Sequence, residues 1–191
     1  MQEQSIEQVS IEDTNEVLEI CTQSLLSTKR KKGLSDKEIE SQGFLVYPIT
    51  KADIIAASQD PKRHIFLVAK YQKKIYGYIY GIDFALYLEQ HPNWLASIDF
   101  TGDPKILNQK LMYGRQVATI KADHPVFTPL FIEGISRMAQ EGYLMNLEEV
   151  CEGPLRNDRS LAYHNRVFKM QRLGGWVDPQ GFSWGLYARC H

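Results

Sequence analysis

The stretch HIFLVAKYQKKIYGYIYGID, residues 64–83, decides the fold class. It contains two runs of β-branched, aliphatic and aromatic residues on either side of the polar turn Gln72-Lys73-Lys74, and residues of these kinds favour strands. Two such runs joined by a short polar turn are typical of a β-hairpin. The sequence therefore predicts a hairpin at residues 64–83, and the other elements can be placed around it.

The segments before and after the hairpin alternate between strand and helix patterns. Before it, the pattern predicts a short strand at 6–9, a helix with Thr14 as its N-cap, and helix starts at 35 and 50. After it, the patterns predict a long connection at 84–110, a strand at 111–122, a helix at 128–142, a strand at 144–152, a helix start at 157 and a closing hairpin at 174–189. In the helix at 128–142 we expect Thr128 to be the N-cap, Pro129 to lie in the first turn and Gly142 to end the helix. This order predicts a mixed α/β protein.

Composition limits the classes of protein that remain. The 191 residues predict a single domain spanning 1–191, and the net charge of −1 gives no reason to expect nucleic acid or an anionic membrane as a partner. No apolar run approaches the length of a membrane span, and the polar N-terminal residues do not resemble a secretory signal. Three cysteines without metal-like spacing indicate a reduced, cytoplasmic protein with no metal site.

The order of the elements, taken with three segments, resembles the GNAT superfamily of acyl-CoA-dependent N-acyltransferases. The segments are FLVAKYQKKIYGYIYG (66–81), QVATIKADHPVFTPLFIEGISRMAQEGY (116–143) and EEVCEGPLRNDRSLAYH (148–164). The resemblance covers roughly residues 5–190. It implies a twisted mixed sheet of six or seven strands with helices on both faces. The fourth and fifth strands would be parallel, would diverge at Val117 and Val150, and would hold acetyl-CoA in the split.

The resemblance also implies which residues bind the cofactor. Backbone N–H groups of Val117, Ala118 and Thr119 would polarise the thioester carbonyl. Asn157 matches the position that binds the pantetheine arm, and Ser160 matches the position that approaches the pyrophosphate. The residues themselves leave an alternative open, because Asn and Ser at a helix start also serve as caps.

The segment ADHPVFTP, residues 122–129, departs from the family pattern. Members of the family place Gly residues and an Arg or Gln before this helix, where backbone N–H groups surround the pyrophosphate. This chain has neither Gly nor Arg there, and Pro125 lacks an N–H group. His124, Thr128 and the helix start remain as candidates for binding the anion. The alternative is that this segment only begins a helix.

The proposed chemistry needs a proton donor, a proton acceptor and a substrate site. His164 or Tyr163 matches the position that protonates the departing thiolate in the family, and either ring can do so. Three carboxylates are candidates for the base that takes the proton of the amine: Glu149, Glu152 and Asp83. Four aromatic residues are expected to line the substrate site: Tyr47, Phe84, Tyr87 and Trp94.

The resemblance implies an N-acetyltransferase. Its reaction would move an acetyl group from acetyl-CoA to a primary amine of a small molecule, an amino acid or a peptide, by direct attack in a ternary complex. The alternative is a GNAT-fold binding or regulatory protein without catalysis. The sequence leaves a homodimer open and does not identify the acceptor.

Overall fold

The computed structural model describes residues 4–120 and 126–190, which form eight strands and eight α-helices. The strands are β1 (Gln4–Gln8), β2 (His64–Tyr71), β3 (Lys74–Asp83), β4 (Asp99–Phe100), β5 (Leu111–Thr119), β6 (Met145–Gly153), β7 (Gln171–Val177) and β8 (Ser183–Cys190). The helices are α1 (Thr14–Ser24), α2 (Leu26–Lys31), α3 (Asp36–Gln42), α4 (Lys51–Gln59), α5 (Phe84–Gln90), α6 (Trp94–Ser97), α7 (Phe127–Gln140) and α8 (Asp158–Ala162). No helix in these residues is both long enough and apolar enough to cross a membrane.

The strands form one mixed sheet in the order β1-β2-β3-β5-β6-β8-β7-β4. Strand β1 runs antiparallel to β2, β5 runs parallel to β6, and β6, β8, β7 and β4 pair antiparallel in succession. The predicted α/β class with a mixed sheet is confirmed.

Strand β4 takes the sheet beyond the predicted six or seven strands. It lies within residues 84–110, which were predicted to be a long connection. Its two residues pair with Gly174 and Gly175 of β7. A Cβ at Gly174 would lie 2.5 Å from the carbonyl oxygen of Asp99, so the absence of a side chain allows the close approach. Two residues are too few to show a strand pattern.

The parallel ladder between β5 and β6 pairs Leu111–Gly114 with Met145–Glu148 and ends there. Both strands continue past the end of the ladder, β5 to Thr119 and β6 to Gly153. The prediction that these two strands are parallel neighbours is confirmed, and the ladder ends before Val117 and Val150, where the strands were expected to diverge.

The first of two compact units contains residues 4–32, 45–81, 116–120 and 126–141. Its core includes buried residues of β2 and β3 and of helices α1 and α4, among them Val17, Ile54, Phe66 and Tyr78. The predicted hairpin is present, and its turn is tighter than expected. Gln72 and Lys73 form the turn with φ values of 51° and 67°, as in a type I′ turn, so Lys74 already belongs to β3.

Helix α1 starts one residue earlier than predicted. Its N-cap is Asp13, and Thr14, the predicted N-cap, is its first residue.

The prediction that Thr128 caps α7 is wrong. The N-cap is Val126, the helix begins at Phe127, and Thr128 is an exposed residue of the first turn. Proline is tolerated throughout the first turn because those N–H groups have no intrahelical partner. Pro129 therefore did not fix the start of the helix, although its place in the first turn and the ending at Gly142 (φ 76°) are as predicted.

The second unit contains residues 33–44, 82–115 and 142–190. Its core holds aliphatic and aromatic residues of β5, β6, β7 and β8 together with α5 and α6, among them Tyr113, Leu147, Leu173 and Leu186. Helix α3 belongs to this unit, while the residues on both sides of it in sequence belong to the first. Ser35 begins the helix in a reciprocal capping box with Glu38, and Gly43 follows its last turn at φ 74°.

Candidate active site

Strand β6 places two consecutive carboxylates in different environments. Successive side chains of a strand point to opposite faces of the sheet. The face that carries Met145, Leu147 and Glu149 packs into the core of the second unit, and the opposite face carries Asn146 and Glu148. Glu148 and Glu149 are therefore parts of two separate side-chain networks.

The carboxyl group of Glu149 accepts hydrogen bonds from three aromatic donors. The indole Nε1 of Trp94 lies 3.1 Å from Oε1, the indole Nε1 of Trp176 lies 2.5 Å from the same oxygen, and the hydroxyl of Tyr113 donates to Oε2. Burial raises the pKa of Glu149, the three hydrogen bonds lower it, and the result lies above the ordinary glutamate value. A carboxylate offers about four acceptor positions, so with the donors among the described residues counted, one remains for another donor.

Further aromatic residues surround this carboxyl group. Tyr87 stacks on Tyr113 with ring centroids 4.0 Å apart, and Trp94 makes edge contacts with Phe84, Tyr87 and Tyr113. Three of the four aromatic residues predicted to line a substrate site are thus in one cluster. Tyr47, the fourth, belongs to the first unit and is 40% exposed.

On the opposite face of β6, His164 lies between Glu148 and α8. Its Nδ1 donates to the carbonyl oxygen of Ser160 at 2.7 Å, and its Nε2 lies 2.6 Å from Oε2 of Glu148. Burial lowers the pKa of His164, but the charge of Glu148 and the carbonyl of Ser160 raise it further, to above its ordinary value. A Cβ at Gly114 would lie 2.8 Å from Cγ of Glu148, so that glycine makes room for the carboxylate.

This geometry restricts what His164 can do. Nδ1 faces the carbonyl oxygen of Ser160, which can only accept, so this nitrogen carries a hydrogen. The hydroxyl of Ser160 lies 3.4 Å from Nδ1, but a ring nitrogen that carries a hydrogen has no lone pair with which to take the hydroxyl proton. Ser160, His164 and Glu148 therefore do not form a nucleophile–base–acid triad. Tyr163, the other predicted proton donor, is half-buried and stacks on Phe168 with ring centroids 6.0 Å apart.

The amide of Asn157 is held by two hydrogen bonds. As the N-cap of α8, its Oδ1 accepts from the N–H of Ser160 at 3.2 Å, and its Nδ2 donates to the carbonyl of Phe44 at 2.9 Å. The capping alternative from the sequence is thus realised. A primary amide has two N–H groups and two lone pairs, so within the described residues one of each remains for a ligand.

The other candidate groups of the second unit are committed to structural contacts. Asp83 caps α5 and accepts from the hydroxyl of Tyr143 at 3.0 Å. Glu152 accepts two hydrogen bonds from Arg172, each at 2.9 Å, and a third from a tyrosine of β8. Cys151 is buried, its thiol lies 3.2 Å from the carbonyl of Leu155, and burial raises its pKa to about 11.

The remaining predicted cofactor residues lie in the first unit or outside the described residues. Val117, Ala118 and Thr119 form the end of β5, and the side chain of Ala118 is buried in the core of that unit. Thr128 is exposed in the first turn of α7. His124 and Pro125 lie outside the residues that the structure describes. In the described part of the chain, no group of His, Cys, Asp and Glu could hold a metal ion.

Sequence reasoning missed three residues of these networks. Glu148 contacts His164, and Tyr113 and Trp176 donate to Glu149. The alternation of β6 was a usable signal for Glu148, because two adjacent glutamates on one strand must face opposite sides. For Trp176 no local signal existed, since its contact depends on the pairing of distant strands.

The fold matches solved N-acetyltransferase structures over nearly the whole chain. Ard1 from Thermoplasma volcanium superposes with a TM-score of 0.64 at 14% identity, covering 98% of this chain and 97% of that one. An N-acetyltransferase from Staphylococcus aureus Mu50 gives 0.61 at 14% identity with 98% of each chain covered. The PaiA N-acetyltransferase from Thermoplasma acidophilum, solved in complex with coenzyme A, gives 0.57 at 17% identity with 99% of each chain covered.

Neither a family model nor a curated protein matches the sequence. The structural likenesses therefore concern the fold, and they show that this chain has the GNAT N-acetyltransferase fold predicted from the sequence.

Proposed function

We propose that the protein transfers an acetyl group from acetyl-CoA to a primary amine, with Glu149 as the base. The observation that carries the proposal is the carboxyl group of Glu149, which lies beside the end of the β5–β6 ladder, among three aromatic donors and with a raised pKa. A base works best when its pKa lies near the working pH, and the raised pKa of Glu149 moves it in that direction. The acceptor is a small amine, an amino acid or a peptide end.

Glu149 prepares the acceptor for attack. An amine carries a proton at neutral pH and must lose it before its nitrogen can attack a carbonyl carbon. In this proposal the unused acceptor position of the carboxylate takes that proton. The hydrogen bonds from Trp94, Trp176 and Tyr113 fix the orientation of the carboxylate, so it need not reorganise when the acceptor arrives.

Acetyl-CoA supplies an activated acetyl thioester when bound, and the residues present fit it in part. The free N–H and lone pair of Asn157 match the amide groups of a pantetheine arm, and the two bonds to Phe44 and Ser160 fix the orientation of the side chain. Backbone N–H groups of Val117 to Thr119 are the proposed donors to the thioester carbonyl. Ser160, Thr128 and His124 stay as proposed contacts for the phosphates.

Tyr163 is the better of the two candidates for the proton donor to the thiolate. Nδ1 of His164 donates to the carbonyl of Ser160 and its Nε2 lies 2.6 Å from Oε2 of Glu148, so His164 would have to break one contact to reach a ligand. A phenol hydroxyl is a suitable proton donor to a thiolate. In this proposal Tyr163 gives the proton, and His164 holds the turn that carries it.

The first test detects acetyl-CoA binding by its effect on the melting temperature of the protein. A ligand at 100 times its Kd stabilises the folded protein by about 2.7 kcal/mol. The proposal expects acetyl-CoA and CoA to raise the melting temperature. An unchanged melting curve at saturating acetyl-CoA would contradict the proposal and would favour a GNAT-fold binding protein for other ligands.

The second test compares two carboxylates of β6. Glu149→Gln keeps the volume and the hydrogen-bond acceptor but removes the base, and the expected loss in kcat is about 10²–10⁴-fold. Glu152→Gln is the matched control, because Glu152 pairs with Arg172 instead of lining the aromatic cluster. Release of free CoA with a panel of amines measures both. Equal activity of wild-type protein and Glu149→Gln would remove Glu149 from the mechanism.

A further inference from the structure

Strand β6 carries three glutamates, which differ in their partners among the described residues. Glu148 lies 2.6 Å from Nε2 of His164, and Glu152 accepts two hydrogen bonds of 2.9 Å from Arg172. Glu149 accepts from two indoles and a phenol, all uncharged, and no Lys, Arg or His in the described part of the chain forms an ion pair with it. A carboxylate withdrawn from water is costly unless a cation accompanies it. The positive charge that suits Glu149 must therefore come from a ligand.

The carboxyl group of Glu149 is more open on one side than on the others. Glu149 and Trp176 are both half-buried, whereas Trp94, Tyr113 and Tyr87 are buried. A ligand that donates to the remaining acceptor position of Glu149 therefore enters beside Trp176.

A second indole lies next to Trp176 on the same face of the sheet. Trp176 and Trp184 are directly paired across β7 and β8, and Leu186 of β8 is directly paired with Glu149 of β6. Residues paired across two strands share a face of the sheet, and so do residues two apart in one strand. Trp176, Trp184 and Glu149 therefore lie on one face, with the carboxylate at one end of the indole pair.

Both indoles are held in place by their N–H groups. Nε1 of Trp176 donates to Glu149 at 2.5 Å, and Nε1 of Trp184 donates to Asp178 at 3.0 Å. Asp178 is 4% exposed and also accepts from two backbone N–H groups of the turn between β7 and β8. The two rings are nearly parallel, with planes 22° apart and centroids 6.4 Å apart, and both are half-buried. They form an apolar surface that need not reorganise to receive a ligand.

We propose that the acceptor is an arylalkylamine, a primary amine on a short chain that ends in an aromatic ring. Its ammonium group donates to the open acceptor position of Glu149 and supplies the missing positive charge. Its ring packs against the indoles of Trp176 and Trp184, where flat apolar groups make favourable contacts. The inference rests on the proposed function for the role of this site as the acceptor site.

Smaller or uncharged molecules use only part of this site. A short alkylamine provides the ammonium group but leaves the indoles of Trp176 and Trp184 uncovered. A neutral alcohol with an aromatic ring covers the indoles but leaves Glu149 without a cation. Comparing such molecules separates the contribution of the charge from that of the apolar surface.

The experiment measures the binding of three ligands in the absence of an acetyl donor, so that no turnover occurs. Phenethylamine, ethylamine and phenethyl alcohol are titrated into the wild-type protein by calorimetry, with and without saturating CoA. Phenethylamine should bind at least about tenfold more tightly than ethylamine, because even one methylene in an apolar pocket changes affinity by about tenfold or more. It should also bind at least about tenfold more tightly than phenethyl alcohol, whose hydroxyl carries no charge.

Two variants assign these preferences to residues. Glu149→Gln should abolish the preference for phenethylamine over phenethyl alcohol. Trp184→Leu leaves all three donors to Glu149 in place and should reduce the preference for phenethylamine over ethylamine. Glu152→Gln is the matched control, because Glu152 lies on the same strand but pairs with Arg172, and it should bind as wild type does. The comparison of the three ligands in wild-type protein gives a result even if a variant does not fold.

Equal affinities for phenethylamine and ethylamine would overturn the inference, and so would equal affinities for phenethylamine and phenethyl alcohol. Absence of phenethylamine binding both with and without CoA would overturn it too. Failure of the proposed function would look different: phenethylamine would bind with the expected preferences, but no CoA would be released after acetyl-CoA is added. Acetylation of ethylamine and phenethylamine with the same kcat/KM would contradict the inference and leave the proposed function intact.

Discussion

Replacing Glu148 by Gln is expected to reverse the pH dependence of the stability that His164 contributes. In the wild type the pKa of folded His164 lies above its ordinary value of about 6.5. This contribution is fully present below pH 6.5 and is lost as the pH rises through the folded pKa. Without the charge of Glu148, burial dominates and the folded pKa falls below 6.5. The variant then loses stability as the pH falls.

The magnitude follows from the contact itself. Glu148 makes a charge-assisted contact of 2.6 Å with a ring that is 4% exposed, and hydrogen bonds to charged groups contribute about 1.5–3 kcal/mol. At pH 6 we expect Glu148→Gln to lower the free energy of unfolding by about 2 kcal/mol. For a protein of this length that corresponds to a melting temperature lower by about 4–8 °C. The difference should shrink as the pH rises through the His164 pKa.

Denaturant unfolding of both proteins between pH 5 and 9 measures this difference. Subtracting the two curves removes the titration of all other groups, including Glu149. The control is His164→Gln, since without the imidazole the effect of Glu148→Gln should not depend on pH. Parallel stability curves of wild type and Glu148→Gln over the whole range would show that His164 and Glu148 are not an ion pair in solution.

Three further predictions concern other parts of the molecule. Gly134→Ala should raise the free energy of unfolding by about 0.5–1 kcal/mol, because alanine is favoured over glycine inside α7 and its Cβ would make an ordinary contact of 3.5 Å with Ile79. A lower stability of the variant in denaturant unfolding would contradict this. Cys151, with a pKa of about 11, should react with a thiol reagent at pH 8 only after unfolding, as peptide mapping by mass spectrometry would show. Asn157→Asp keeps the capping oxygen but loses the N–H groups. The free energy of acetyl-CoA binding, measured by calorimetry, should therefore weaken by about 1 kcal/mol more than the free energy of unfolding falls. Unchanged affinity would make Asn157 a cap alone.

Local chemistry made much of the fold predictable. The hairpin at 64–83 follows from two β-favouring runs around a polar turn, and the capping boxes of α3 and α4 follow from Ser35 with Glu38 and Thr50 with Asp53. Short-range rules were less able to place boundaries. Strand β4 depends on the close approach permitted by Gly174, and Pro129, which fits anywhere in the first turn, does not define where α7 starts.

The candidate site depends on distances that no short segment encodes. The sequence indicated Glu149, Asn157, Ser160 and His164 by position, but it could not show that Trp94 and Trp176, far apart in the chain, donate to the same oxygen. Nor could it show that both polar ends of Asn157 are already hydrogen-bonded. One of these bonds reaches Phe44, and that contact depends on the packing of residues 33–44 within the second unit.

The most direct test of the account is detection of the acetylated amine itself. Purified protein is incubated with isotopically labelled acetyl-CoA and a mixture of small amines, amino acids and peptides, and the products are identified by mass spectrometry. The account predicts labelled N-acetyl product with wild-type protein and with Glu152→Gln, and a loss of about 10²-fold or more in its rate with Glu149→Gln. Labelled product that forms equally fast with Glu149→Gln, or no labelled amine despite bound acetyl-CoA, would contradict it.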